Sequence, residues 1–379
     1  ALAGILLTLT IPLAFDGRWT SAAWALEGAT MVWLGFRTER RLVRASGYLL
    51  QLLSGLAFAS AMAHTTGNVP LLNSFYLGCL LISLSGLYSA FLLQRHPLRT
   101  EEWEQPLEYL LIAWGLCWWS GGALRELEQN LDKEFLYGAI LLCAALTALL
   151  IRLSARKLQW QNFGWTSLIL LPLMPAAAMA WFPAHPLAQG GWFAWPVAFS
   201  TSWWLLYSHD QQLPATLKPY PHALLVWLLA LLGTLELGWQ VSFAMLQQGS
   251  WLEISQVVMP ISLLGLLVIA NRTNVWPFRQ ERITYQGIIA LPLAVWSLGW
   301  VLVSSLTCIG DSDPLPWLPL LNQFDLTILA AIVVPLIWLR SLYTMDAFRE
   351  LLRELQASVA TTYTLVIFAW LNGILARSL

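Results

Sequence analysis

The sequence is poor in charge. Only 11% of its 379 residues are Asp, Glu, Lys or Arg, against roughly a quarter in a soluble domain. That supply cannot coat a water-facing surface, so the surplus apolar surface requires a lipid solvent. A net charge of −1 excludes a nucleic-acid partner, which needs a basic face. Cysteine is scarce: Cys79, Cys117, Cys143 and Cys308 stand alone with no CxxC spacing. They read as small packing residues, not as a zinc site or a redox pair. His64, His96, His185, His209 and His222 fall in loops or at the ends of apolar runs, without HExxH or HxxxxD. No P-loop, GxSxG elbow or dinucleotide fingerprint occurs either. No cofactor and no metal is expected, and no catalytic motif is found.

What the sequence has is long apolar runs, 58% of its residues being hydrophobic. Taking about 20 apolar residues per crossing, the chain reads as an all-α, polytopic transmembrane helix bundle of about thirteen spans. They lie at about 1–15, 18–36, 45–63, 70–94, 106–122, 134–153, 163–183, 191–208, 221–246, 251–270, 283–308, 324–343 and 357–376. The organising stretch is Ser21 to Arg44, an apolar helix with Glu27 in its middle and four arginines at its close. Placing the 37–44 connection in the cytoplasm gives that side Arg37, Arg40, Arg41, Arg44, Arg95, Arg99, Arg152, Arg156, Lys157, Lys218, Arg272, Arg279, Arg282, Arg340, Arg349 and Arg353. The other side receives Arg18, Arg125, Lys133 and Arg377, the asymmetry that the positive-inside rule demands.

Twenty-three tryptophans fit an aromatic belt plus helix packing, and Trp19, Trp103, Trp160, Trp192, Trp251, Trp276 and Trp317 flank apolar runs. Two connections read as interfacial amphipathic helices, one carrying Phe348, Leu351, Leu352 and Leu355, the other Leu124, Leu127 and Leu131. The outer connections are the short or proline-rich stretches His64–Val69, Phe182–Gly190, Gln247–Ser250 and Ile309–Asn322. No soluble domain is large enough to fold alone, so residues 1–379 read as one transmembrane domain. Its start inside an apolar run points to a piece of a longer chain.

Charges inside a bilayer are costly and ask for a reason. Glu27 lies nine residues past Arg18 and ten before Arg37, roughly 14 Å from either at 1.5 Å per residue. Glu236 is similarly central in its span, with Gln240 one turn along the same face. Glu108, Glu253, Asp325 and Arg340 sit within about two turns of an end, where snorkelling or water lowers the cost. Ala25, Gly28, Ala29 and Gly35 let a neighbour approach the Glu27 helix closely. Glu27 and Glu236 read either as carboxylates of a proton, cation or headgroup site, or as protonated acids bonded to a neighbouring helix. In the loop GDSDPLPWLPLLNQFD, Asp311 and Asp313 suit either a divalent cation and acid–base work on a lipid-linked sugar, or an ordinary Asp/Pro turn.

The run AWALEGATMVWLGF, its arginine cluster and GYLLQLLSGLAF together resemble a bacterial family of large predicted membrane proteins, domain of unknown function 2339. LEYLLIAWGLCWWSGGALRELE, the span from His222 to Glu236-Leu237-Gly238-Trp239, and LPLLNQFDL extend the resemblance over most of the chain. The last matches the family's Leu-Asn-Pro-Leu-Asp-Leu at Asn322, Asp325 and Leu326, and departs from it at Gln323 and Phe324. The resemblance implies the C-terminal portion of a longer multi-span protein in the bacterial inner membrane, with membrane lipids and a periplasmic envelope protein as partners. It implies no activity. Three functions remain open: envelope transport or lipid and glycan handling through a cavity with buried carboxylates; a non-catalytic scaffold; and an enzyme acting on a lipid-linked sugar through Asp311 and Asp313.

Overall fold

A computed structural model describes residues 17–60, 69–182, 184–244, 250–273, 275–308, 310–311, 313, 315 and 318–378. The expected span over 1–15, most of the loop His64–Val69, and Trp317 lie outside the described residues. No strand occurs among the described residues, and the all-α architecture expected from the apolar runs holds. Nine helical stretches among them are long and apolar enough to cross a membrane. Three more expected spans are helical too, but Glu27, the charges at 125–128 and the Trp, Ser and Thr of 191–209 dilute their apolar runs. A count of thirteen is therefore not established.

The chain divides into two compact units, 1–169 and 170–379. The first contains α1 (Gly17–Thr38), α2 (Arg41–Ser60), α3 (Ser74–Arg95), α4 (Gln105–Asn130), α5 (Lys133–Leu158) and the short α6 (Gln161–Thr166). Helices α1 and α2 meet backbone to backbone. A Cβ on Gly28 would lie 2.7 Å from the Gly47 carbonyl oxygen, and one on Gly47 2.6 Å from that of Gly28. Only glycine on both helices permits that approach. The core then closes with Val32, Phe36, Ala90, Ile112, Ile151 and Trp160. Leu124 and Leu127, expected in a separate interfacial helix, instead continue α4 to Asn130. Nothing between Gly122 and Asn130 breaks the helix, and Leu131 is its cap.

The second unit contains α7 (Leu170–Trp181), α8 (Gly191–His209), α9 (Pro219–Ala244), α10 (Trp251–Ala270), a wide π-turn (Thr284–Ile289) running into α11 (Ala290–Thr307), α12 (Gln323–Tyr343), α13 (Asp346–Glu354) and α14 (Gln356–Ser378). Two carbonyls of the π-turn are taken by indoles, Gln286 by Trp338 at 2.9 Å and Ile289 by Trp227 at 3.2 Å. A buried carbonyl left alone in lipid would cost several kcal/mol, which gives these tryptophans a bonding role beyond a belt. Helix α13 is the expected amphipathic piece, with Leu352 buried and Arg349, Glu350, Arg353 and Glu354 exposed.

Candidate functional site

Glu236 is the centre of the best-formed polar site in the second unit. It lies seventeen residues past Pro219 and eight before Ala244, so it is off-centre, roughly 12 Å from the end of α9. The segment 184–190 dips onto it. His185 Nδ1 stands 2.9 Å from Oε2, the Leu187 N–H donates to the same oxygen at 2.9 Å, and Gln240 Nε2 donates to Oε1 at 2.6 Å. Glu236 and Gln240, four residues apart, share a helix face as expected. The His185 ring lies flat on Trp239 at 3.6 Å between centroids, and Phe243 stacks on Trp239 at 5.4 Å. Only 11% of the Glu236 side chain and 19% of the His185 side chain are exposed.

Beside this cluster a cavity of about 460 Å³ opens between α8 and α9. Its walls are Trp195, Phe199 and Trp203 from α8, Leu229, Leu232 and Leu237 from α9, and Met259 from α10. Glu236, Pro186 and Leu187 close one end. From Leu229 to Glu236 the groove follows α9 for roughly 10 Å. An apolar slot with convergent polar groups at one end is the usual form of a small-molecule site.

The other candidates are placed differently. Glu27, in the first unit, is half-buried and not without a partner; Ala25, Gly28 and Ala29 beside it are buried at the α1–α2 contact. Asp311 and Asp313 are exposed. The Asp311 carbonyl accepts from the Ser250 N–H and hydroxyl, both at 2.9 Å, and its side chain accepts from the Asp313 N–H at 3.2 Å. The Asp313 carbonyl accepts from the Trp251 indole at 2.9 Å. That is a turn pinned to the start of α10, and no group of three or more metal-ligating side chains occurs among the described residues.

Asn322 caps α12, accepting from the Asp325 N–H at 2.8 Å and donating to its Oδ2 at 2.7 Å. Asp325 was expected to be eased by water at its helix end, and it is not. It is 1% exposed, and its Oδ1 accepts from Arg377 at 2.8 Å and Trp370 at 3.1 Å. The pair latches the start of α12 to the end of α14.

Three further residues escaped sequence reasoning. Arg44, counted only as one of the arginines on the cytoplasmic side, is buried and forms a two-pronged bond with buried Glu104 at 2.7 and 2.8 Å, joined by Tyr48 at 3.2 Å. Glu126 accepts from the Leu71 N–H at 2.7 Å, from Asn73 at 2.7 Å and from Asn130 at 2.9 Å. His185 read as one of five scattered loop histidines. The available signal was a shared spelling, Glu-Leu-x-x-Asn at 126–130 and Glu-Leu-x-x-Gln at 236–240.

No curated protein and no solved structure matches the chain. The family described as predicted membrane protein (DUF2339) matches residues 1–379, and the chain, an all-α protein of several membrane-spanning helices, belongs to that family.

Proposed function

We propose that the protein handles lipid in the bacterial inner membrane, seating a membrane amphiphile in the groove between α8 and α9. The observation that carries this reading is an apolar cavity of about 460 Å³ ending at the Glu236 cluster. Burying a charge-bearing site there costs free energy that packing alone would avoid by using Leu. The groove is apolar where acyl chains would lie and polar where a headgroup would sit. Its rim residue Ser200 is exposed, which leaves a lateral path from the bilayer. With the arginine-rich ends cytoplasmic, the Glu236 end faces the outer leaflet.

The test is native mass spectrometry of the protein released from nanodiscs. The natural chain should retain lipid, and Ser200→Trp, which fills the slot, should lose it. An unchanged lipid complement in Ser200→Trp would sink the reading. Scaffolding is the second reading, favoured by α14, on which Leu365, Phe368, Leu371 and Leu375 are exposed. A cross-linker placed at Phe368 should then capture a periplasmic envelope protein or its anchor, and capture of lipid alone would count against it.

A further inference from the structure

We infer that the amphiphile of this groove is a phospholipid whose headgroup carries a primary ammonium, an inference that rests on the reading above. Two side chains that line the cavity each carry a polar atom with unused capacity, and the atoms are of opposite kinds. The first is an acceptor. Each carboxylate oxygen has two lone-pair sites, and among the described residues Glu236 Oε1 accepts only from Gln240. The second is a donor. Trp195 is 4% exposed, and its indole N–H has no acceptor among the described residues. Both side chains line the same cavity.

Charge decides between headgroups. Two of the three donors on Glu236, the Leu187 N–H and Gln240, are neutral, and the described lining of the cavity contains no Lys or Arg. The one ionisable side chain of the described lining is therefore the Glu236 carboxylate, and the wall itself offers no cation to an incoming headgroup. An anionic headgroup is repelled there. A trimethylammonium headgroup has the right sign but no N–H to give. A primary ammonium brings three donors and a positive charge to Glu236, and the phosphate and ester oxygens beside it accept from Trp195. The acyl chain then runs along Phe199, Trp203 and Leu229, away from the polar end.

The experiment places the natural protein in nanodiscs of phosphatidylethanolamine, phosphatidylcholine and phosphatidylglycerol with identical chains, and measures the lipids retained by native mass spectrometry. Phosphatidylethanolamine should be enriched about tenfold over each of the others, the size of one charge-assisted hydrogen bond. Glu236→Gln should reduce that preference to about twofold, whereas Trp195→Phe, which removes only an N–H to oxygens that all three lipids share, should lower total lipid retention about threefold and leave the preference unchanged. If lipid is retained without headgroup preference, the ammonium inference falls and the groove reading stands. The same holds if the preference survives Glu236→Gln. If no lipid is retained, both fall. If Glu236→Gln does not fold, the natural protein decides the matter: retention should fall stepwise from phosphatidylethanolamine through its mono- and dimethylated forms to phosphatidylcholine as N–H donors are lost, and equal retention overturns the inference.

Discussion

Glu126 in the first unit and Glu236 in the second solve one problem with one device. Each stands near the end of a helix, accepts a backbone N–H from the loop that precedes a neighbouring helix, takes a loop side chain, and is steadied by an amide four residues on. The loop residue differs. In the first unit it is Asn73, which also caps α3 by accepting from the Tyr76 N–H at 2.8 Å. In the second it is His185, stacked on Trp239, with an open groove alongside. A carboxylate clamp by itself is thus a way of fastening a loop to a membrane helix. What marks one of the two as a site is the imidazole and the space beside it.

The comparison breaks or sharpens under substitution. The largest effect should come from outside both clamps, at the ion pair of the first unit. Arg44→Ala strands the Glu104 carboxylate in a dry core, a loss of about 3–5 kcal/mol, read as a lowered unfolding midpoint in detergent. Next is Glu126→Ala, which leaves the Leu71 N–H without its acceptor and takes the carboxylate from Asn73 and Asn130, and should cost about 1–3 kcal/mol with no change in bound lipid. If it releases lipid as well, the two clamps are functionally alike and the distinction drawn here is wrong. Smallest is His185→Asn, which rebuilds the first unit's arrangement in the second. It should stay within about 1 kcal/mol of the natural protein, measured by the same unfolding midpoint. A larger loss would mean that the imidazole stacked on Trp239 holds the loop in a way that an amide cannot.

What could be read from the sequence followed the range of each interaction. The π-turn aside, helices, the amphipathic piece at 348–355 and the Glu236–Gln240 pairing depend on spacings within a few turns, so they were legible. Depth was partly legible: charges bracketed Glu27, whereas Glu236 proved nearer one helix end than its apolar run suggested. Partners were not legible. His185 lies 51 residues from Glu236, Arg377 lies 52 from Asp325, and Arg44 lies 60 from Glu104. Periodicity reports which face of a helix is apolar, and it carries no information about which distant residue meets that face. Asp325 shows the consequence: position alone suggested hydration, and a remote arginine supplied a salt bridge instead.

The sixty residues between Arg44 and Glu104 also separate two moments in the life of the chain. On the proposed orientation, Arg44 leaves the ribosome as an uncompensated cation and helps hold the first hairpin's connection on the cytoplasmic side. At ordinary elongation rates Glu104 follows roughly 3–12 s later, and the folded pair carries no net charge. On that orientation, one of the four arginines that hold the connection in place is no longer displayed once the protein folds, while Arg37, Arg40 and Arg41 stay exposed. One charge of that topogenic signal is then spent in forming a core.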